Sequence, residues 1–459
     1  MMMPIKSPCE ESAASAAAGA VQLCRGPWVL IATILASSLA FIDGTVVNVG
    51  LPALQAALHA SVTDIQWVVE SYALLLASLL LLGGSLGDLY GRRKIFLYGV
   101  ALFAIGSSWC GLAPSITSLI VARGLQGIGA ALLIPGSLAI IGASYTEDER
   151  GRAIGTWSGF TAITASVGPV LGGWLVEHGS WRWVFFINLP MAVIVIVLSL
   201  WRVPESRNES ASRSMDWLGA ALATFGLGAI TYALINGSSR GSSATSGHIA
   251  VAWGLGVAGI GVLLSFLIVE SRSPATMVSL HLFRSRDFSG ANLLTFLLYA
   301  PLSGILFFFP LDLIQVQHYT GIGMAISVAP LTTAVMESVP SKEAGVASGV
   351  NNAVSRIAGL LAVAVFGLVL SAGFNCALDR RLAQMQLSSS QRQGVEMQRS
   401  RLAGAQIGDL PVQHAFDEEF VSGYREVIWV SVGLALLSAL SAQMIRSKRS
   451  PAVSAKLAS

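Results

Sequence analysis

Long apolar runs, one after another, constrain this chain more than any other feature. A helix needs about 20 mostly apolar residues to cross roughly 30 Å of hydrocarbon. Runs of that kind fall at 28–51, 67–86, 95–112, 119–141, 153–176, 184–201, 217–234, 249–269, 293–314, 321–336, 345–374 and 421–444. Lipid offers no partner to a backbone N–H or C=O, so such segments cross as helices that satisfy themselves. The expected fold is therefore all-α and polytopic, with about 12 membrane spans. The first run reads as a span rather than a cleaved leader, because Asp43 and Asn48 interrupt it and no small-residue cleavage site follows. Composition agrees: charged residues make up 12% of the chain, about half the share a water-wetted surface needs.

The distribution of Lys and Arg sets the expected orientation. Alternate loops carry Arg92, Arg93 and Lys94, then Arg150 and Arg152, Arg202 and Arg207, and Arg284 and Arg286. The short loops between them hold Arg182 and Arg240. Both termini are expected in the cytoplasm, as tails over 1–27 and 446–459, with disorder expected over 1–24 and 446–459. Residues 375–420 are polar and rich in Gln and Ser, which reads as a solvated outer loop with room for one surface helix. A net charge of +3 implies no polyanionic partner, so no nucleic acid is expected. Cys9, Cys24, Cys110 and Cys376 are far apart, which suggests neither a disulfide framework nor a zinc site. No metal or cofactor motif is recognised, and no nucleophile–base pair that would make an enzyme.

Charge inside the hydrocarbon is costly, so each such residue is a candidate functional group. Asp43 lies fifteen residues into the first span, roughly 22 Å from the inner face at 1.5 Å per residue. Arg123 enters the fourth span from the outside, roughly 6 to 10 Å deep. Both belong to the outer half, where they can pair if the helices touch. Two readings stand at this point: a carboxylate that takes and releases a proton, and a purely structural ion pair. Glu70 is expected near the outer mouth of the second span, open to a cationic substrate. Asp312 and Glu337 read as interfacial, and Arg356 as a mid-span group that must face protein or a cavity. Gly84, Asp88, Gly91, Arg92 and Arg93 form a turn between spans two and three. Asp88 is expected to cap the next helix, and the loop is either an anchor or a latch that breaks and reforms. Gly168, Pro169, Gly172 and Gly173 point to a kinked, closely packed seam in the fifth span.

These stretches resemble the major facilitator superfamily, and within it the fourteen-span drug:proton antiporters of the EmrB/QacA type. Residues 84–94 resemble its inner-loop signature, 119–130 its helix-4 motif around Arg123, and 168–173 its helix-5 antiporter motif. Residues 41–52 resemble the subfamily's helix-1 motif, with Gly50 where Ala is usual; 181–190 and 348–353 add subfamily character. The resemblance implies two helical bundles, 28–201 and 288–445, with two spans inserted in the linker 202–287. It implies alternating access to a site at mid-membrane, and proton-coupled export of bulky lipophilic compounds across the bacterial inner membrane. Asp43 and Arg123 would couple the proton, while Glu70, Asn48, Gln126 and Asn352 are candidate substrate contacts. The partners implied are a lipophilic substrate (cationic in one reading), protons and the bilayer; no cofactor is implied, and the subunit count is left open.

The chain departs from that pattern after helix 9. Residues 308–319 are family-like, yet 321–335 resemble the later half of family helix 12, and the second bundle's copy of the 84–94 loop is missing. Family helices 10 and 11 and the start of 12 are inferred to be absent, leaving the C-terminal bundle incomplete. Arg356 and Asn352 are expected to be short of partners there. A truncated, non-transporting homologue is the alternative to an exporter.

Overall fold

The computed structural model describes residues 8–207, 216–237, 246–273, 280–319, 346–385 and 387–444. Among these the chain is helical without strands, and eleven helices are long and apolar enough to cross a membrane. The expected span 321–336 and Glu337 lie outside the described residues. The N-terminal half comprises α1 (Pro8–Leu58), α2 (Val62–Tyr90), α3 (Arg92–Leu112), α4 (Ile116–Ser144), α5 (Glu147–His178), the short α6 (Trp183–Phe186) and α7 (Asn188–Arg202). The inserted pair is α8 (Trp217–Asn236) and α9 (Ser246–Arg272). The C-terminal half contains α10 (Arg286–Leu311), α11 (Val346–Gln384), α12 (Ser389–Gln398) and α13 (Leu410–Ser441).

Helix starts follow local chemistry. Ser61 and Asp64 form a reciprocal capping box at α2, Ser115 caps α4, Asp216 caps α8, and Ser285 caps α10. Each side chain accepts a backbone N–H that the first turn leaves without a partner. Helix α1 begins at Pro8, ahead of the expected span, so the expected disordered tail is helical from there. Its Ala-rich stretch over 13–20 has high helix propensity, which accounts for the difference.

Lipid supplies no hydrophobic drive between spans, so close approach of backbones must hold them together. Helix α4 does this for α2 and α3. A Cβ on Gly127 would stand 2.5 Å from the Tyr72 carbonyl oxygen, and one on Gly129 2.5 Å from the Phe103 nitrogen. On the other side of the half, Gly168 and Gly172 of α5 admit Thr45 and Val46 of α1. Gly168, Pro169, Gly172 and Gly173 are all buried, and α5 continues through Pro169. Trp157 Nε1 donates to Ser37 Oγ at 3.0 Å and pins the same two helices.

The molecule has two ends. One carries the Gly91 turn and Arg202, and is called the basic face; the opposite face carries Ser61, Ser115 and Asn236. Toward the opposite face a single buried cluster runs through both halves. It joins Val46, Leu51 and Ile65 to Phe307, Phe308, Phe366, Phe374, Phe416 and Phe420. Toward the basic face the main cluster belongs to α1–α4 and α7, with Ala353 of α11 added. The halves are thus sealed most extensively at the opposite face. Helix α8 packs on α2 and α11, while α9 packs on α8 and turns Val257, Ile260 and Leu264 outward, as lipid-facing residues should be.

Residues 375–420 hold the surface helix that their polarity suggests, Ser389–Gln398 with only Val395 buried, but little of the segment is loop. Helix α11 runs on to Gln384, α12 follows, a 3-10 segment covers Arg399–Gly404, and α13 already begins at Leu410. Val395, Leu402, Ala403 and Ala405 are buried in the cluster that joins the halves. From α12 up to the start of α13 these four side chains suffice to anchor the polar stretch, because only its inner side needs to be dry.

Candidate functional site

Asp43, on α1, is buried among donors from two other spanning helices. Its Oδ2 accepts from Arg123 Nη1 at 2.5 Å, and its Oδ1 accepts from Gln126 Nε2 at 2.8 Å and Asn188 Nδ2 at 3.0 Å. Arg123 Nη1 also donates to Gln126 Oε1 at 2.7 Å, and its Nε donates to the Val68 carbonyl at 3.1 Å. The guanidinium lies 4.3 Å from the centre of the Tyr72 ring. Asn188 Nδ2 reaches Ser107 Oγ at 2.9 Å, and that hydroxyl donates to the Phe185 carbonyl at 2.8 Å. Asp43, Gln126, Asn188 and Ser107 are each 0% exposed and Arg123 1%.

Local sequence explains the convergence. Arg123 and Gln126 are three apart on α4 and so share a face. Asn188 lies in the first turns of the span Trp183–Arg202, on its buried side. Burying a charge pair this completely is tolerable only when the remaining donors and acceptors are also met. Here three donors meet one carboxylate. Chemically, such a carboxylate can exchange its cationic partner for a proton only if α1 and α4 separate or their side chains rotate.

Sequence reasoning found Asp43 and Arg123 but assigned Gln126 elsewhere. Expected as a substrate contact, Gln126 instead spends both ends of its amide inside this network, because it lies one turn from Arg123 on the same face. Asn188 and Ser107 were missed as members. A lone Asn in the apolar run 184–201 was the available signal, since a polar side chain at that depth needs a partner.

Glu70 also differs from expectation. It is not at an open mouth but 0% exposed, and neither carboxylate oxygen has a hydrogen-bond partner among the described residues. Gln66, one turn away on the same face of α2, donates to the Val363 carbonyl of α11 at 3.3 Å. Glu70 lies one turn further along that face of α2. Asp312, expected at an interface, is 9% exposed and opens a π-helical turn, Asp312–Val316, that extends α10. Asn48 and Asn352 are half-buried on α1 and α11 and are not brought to the Asp43 network. Arg356 is short of polar partners as expected: among the described residues it makes no hydrogen bond or ion pair, and its guanidinium lies 5.3 Å from the centre of the Phe41 ring. Next to Asn352, Asn351 Oδ1 accepts from Thr295 Oγ1 of α10 at 2.7 Å.

The turn at the basic face is held by a residue that the sequence did not single out. Asp88 pairs with Arg92 at 2.8 Å rather than capping α3. The cap comes from Glu205, beyond α7, whose carboxylate accepts from the backbone N–H of Arg93 at 3.0 Å and Lys94 at 3.2 Å. Gly91 has φ +111°, and a Cβ there would stand 2.9 Å from that carboxylate, so glycine is required twice over. Arg93 Nη1 donates to the Val203 carbonyl at 3.1 Å, closing the contact.

The Major Facilitator Superfamily family model matches residues 33–363, nearly the whole run from α1 into α11. The chain belongs to the Major Facilitator Superfamily. It is a multi-pass membrane transporter, not an enzyme. Multidrug resistance protein Stp of Mycobacterium tuberculosis (strain CDC 1551 / Oshkosh) is 35% identical over 421 residues, covering 77% of this chain and 77% of that protein. Tetracenomycin C resistance and export protein of Streptomyces glaucescens is 33% identical, covering 68% of this chain and 58% of that protein. Multidrug export protein EmrB of Haemophilus influenzae is 32% identical, covering 66% and 58%. A peptide transporter POT in complex with sulfate shares the fold at a TM-score of 0.52 and 15% identity, covering 92% of this chain and 95% of that one. The Stp match spans 421 aligned positions yet takes in 77% of a 459-residue chain, so Stp carries sequence inside the aligned stretch that this chain lacks.

Proposed function

We propose that this superfamily transporter exports lipophilic drugs or similar bulky compounds in exchange for protons, by alternating access across the bacterial inner membrane. Both termini, and hence the basic face, lie in the cytoplasm; the Lys and Arg asymmetry supports this. The observation that carries the reading is the Asp43–Arg123 pair, a carboxylate buried in the spanning part of a chain whose relatives are resistance and export proteins. A proton taken by Asp43 would release Arg123, and that release favours a different packing of α1 against α4. Proton and substrate then influence each other by linkage, each biasing the same two-state bundle. Glu70 serves as the second acidic group: a buried, unpartnered carboxylate must be met by a proton or by a cationic group.

Gradient-driven efflux of ethidium from energised vesicles holding the full-length chain tests the reading. Efflux that collapses when the proton gradient is discharged supports it. Efflux insensitive to the gradient, or none at all, removes it. A second reading, a homologue that no longer transports, draws on the sequence that Stp has and this chain lacks, which the motif order after residue 319 would place in the C-terminal half. Under that reading dye would still bind without being moved.

A further inference from the structure

We propose that residues 387–409 form a plug over the outer face and that Gln55 is the positioning residue that locks it there, closing the outer gate. This rests on the alternating-access reading above. The plug is built as one piece with the C-terminal half. Arg399, 7% exposed, pairs with Asp379 at the end of α11 and with Glu396 at 3.3 Å. Gln391 Nε2 donates to Asp409 Oδ2 at 2.5 Å, drawing the two ends of the segment together. Leu402 holds φ +48°, a conformation that a branched side chain adopts only where its surroundings enforce it. The turn it makes sends Leu402 into the shared apolar cluster.

On the other side stands Gln55, 3% exposed near the end of α1. Its Nε2 donates to the Arg401 carbonyl at 3.2 Å, and its Oε1 accepts from Gln315 Nε2 at 2.9 Å. Gln315 belongs to the π-helical turn after α10. One amide of the N-terminal half thus holds both the plug and α10 of the other half. A Cβ on Gly404 would stand 3.0 Å from the Gln55 side chain, so the plug's backbone is closely fitted to it. With Gln66 and the Val363 carbonyl, these hydrogen bonds join the halves at the outer end. All are neutral, and such bonds are weak enough in net terms to part and reform in each cycle. The buried ion pair of Asp43 is unsuited to that task.

The test uses the full-length chain in a background without its four native cysteines. Gln55→Cys with Gly404→Cys places a thiol on each side of this contact, and removing the Gln55 amide makes room for the new Cβ. Oxidation should cross-link the pair, stop gradient-driven ethidium efflux, and release it again on reduction. A second arm needs no transport. Val49 is 2% exposed and packs with Leu313 of the π-helical turn after α10, in the seam beneath Gln55. Losing two net hydrogen bonds should make Val49→Cys label about tenfold faster with an impermeant maleimide when Gln55→Ala is added. A pair that does not cross-link, cross-linked protein that still exports at the reduced rate, or unchanged labelling overturns the gate. Absence of efflux even from reduced protein instead counts against the exporter reading, and the labelling arm still decides the gate.

Discussion

Replacing Asp43 by Asn tests whether the buried pair is only structural. Asp43 receives three hydrogen bonds, from Arg123 at 2.5 Å, Gln126 at 2.8 Å and Asn188 at 3.0 Å. An amide accepts at one atom and donates at the other, so at least one of these N–H groups must meet an N–H. Arg123 stays buried and charged, keeping the Val68 carbonyl, Gln126 Oε1 and the Tyr72 ring. Removing one partner of a buried ion pair costs about 3–5 kcal/mol. The neutral acceptors that remain place this case near the lower end, about 3 kcal/mol, or roughly a hundredfold in the folding equilibrium. Adding Arg123→Leu removes the orphaned charge. Apolar replacement of a whole buried pair is often close to neutral, so the double variant should recover all but about 1 kcal/mol. Thermal unfolding of the purified protein reads the stability cycle, and ethidium efflux from energised vesicles reads function. A structural pair predicts that the stable double variant exports again; a proton carrier predicts that it stays inactive. Recovered gradient-driven efflux in the double variant refutes the coupling role of Asp43. A single Asn variant as stable as the parent refutes the pairing energetics.

Three further outcomes follow from named contacts. Gly91→Ala should cost about 1–3 kcal/mol from its backbone conformation alone (φ +111°, ψ +124°) and slow turnover. Glu205→Ala, which uncaps α3, should cost about 0.5–2 kcal/mol; because both changes act on one contact, their thermal shifts should not add. Gly172→Leu should wedge α1 from α5, where a Cβ already stands 3.1 Å from Val46, destabilising by about 1–3 kcal/mol, and Val46→Ala should recover part of the loss in the same unfolding assay. Glu70→Gln should leave the melting temperature nearly unchanged, abolish export of cationic dyes and spare uncharged ones; equal loss of both would disconnect Glu70 from substrate charge.

Spanning helices were legible because their length is dictated by the bilayer, and no tertiary context overrides it. The Asp43–Arg123 pairing was legible for a related reason: depth along a helix is a matter of counting, and two opposite charges at like depth have few other partners. Lateral position was not legible. Counting residues places Glu70 near the end of α2, but only packing against α11 shows that this end is covered. The same limit hid the Asn188 and Ser107 contacts, which depend on how α3 and α7 are rotated toward α1. The plug was misread because polar composition reports what most side chains of a segment do, whereas four buried ones decide where it sits. Glu205 was invisible as a cap because local capping rules look three residues ahead, not across the fold.

The two kinds of polar contact differ in a way that suits a machine with moving halves. Within the N-terminal half, a charged pair and its donors are enclosed by α1, α4 and α7, where breaking them without a compensating proton would leave a bare ion in a dry interior. Between the halves, at the outer end, the bonds through Gln55 and Gln66 are neutral amide contacts that cost little to exchange for water. A transport cycle needs that division. If the seam were held by a fully buried ion pair, opening it would strand two charges, whereas a proton site needs a buried carboxylate whose charge a proton can cancel. The C-terminal half adds the plug's own apolar residues to the seam, so closure at the outer face does not depend on spanning helices alone.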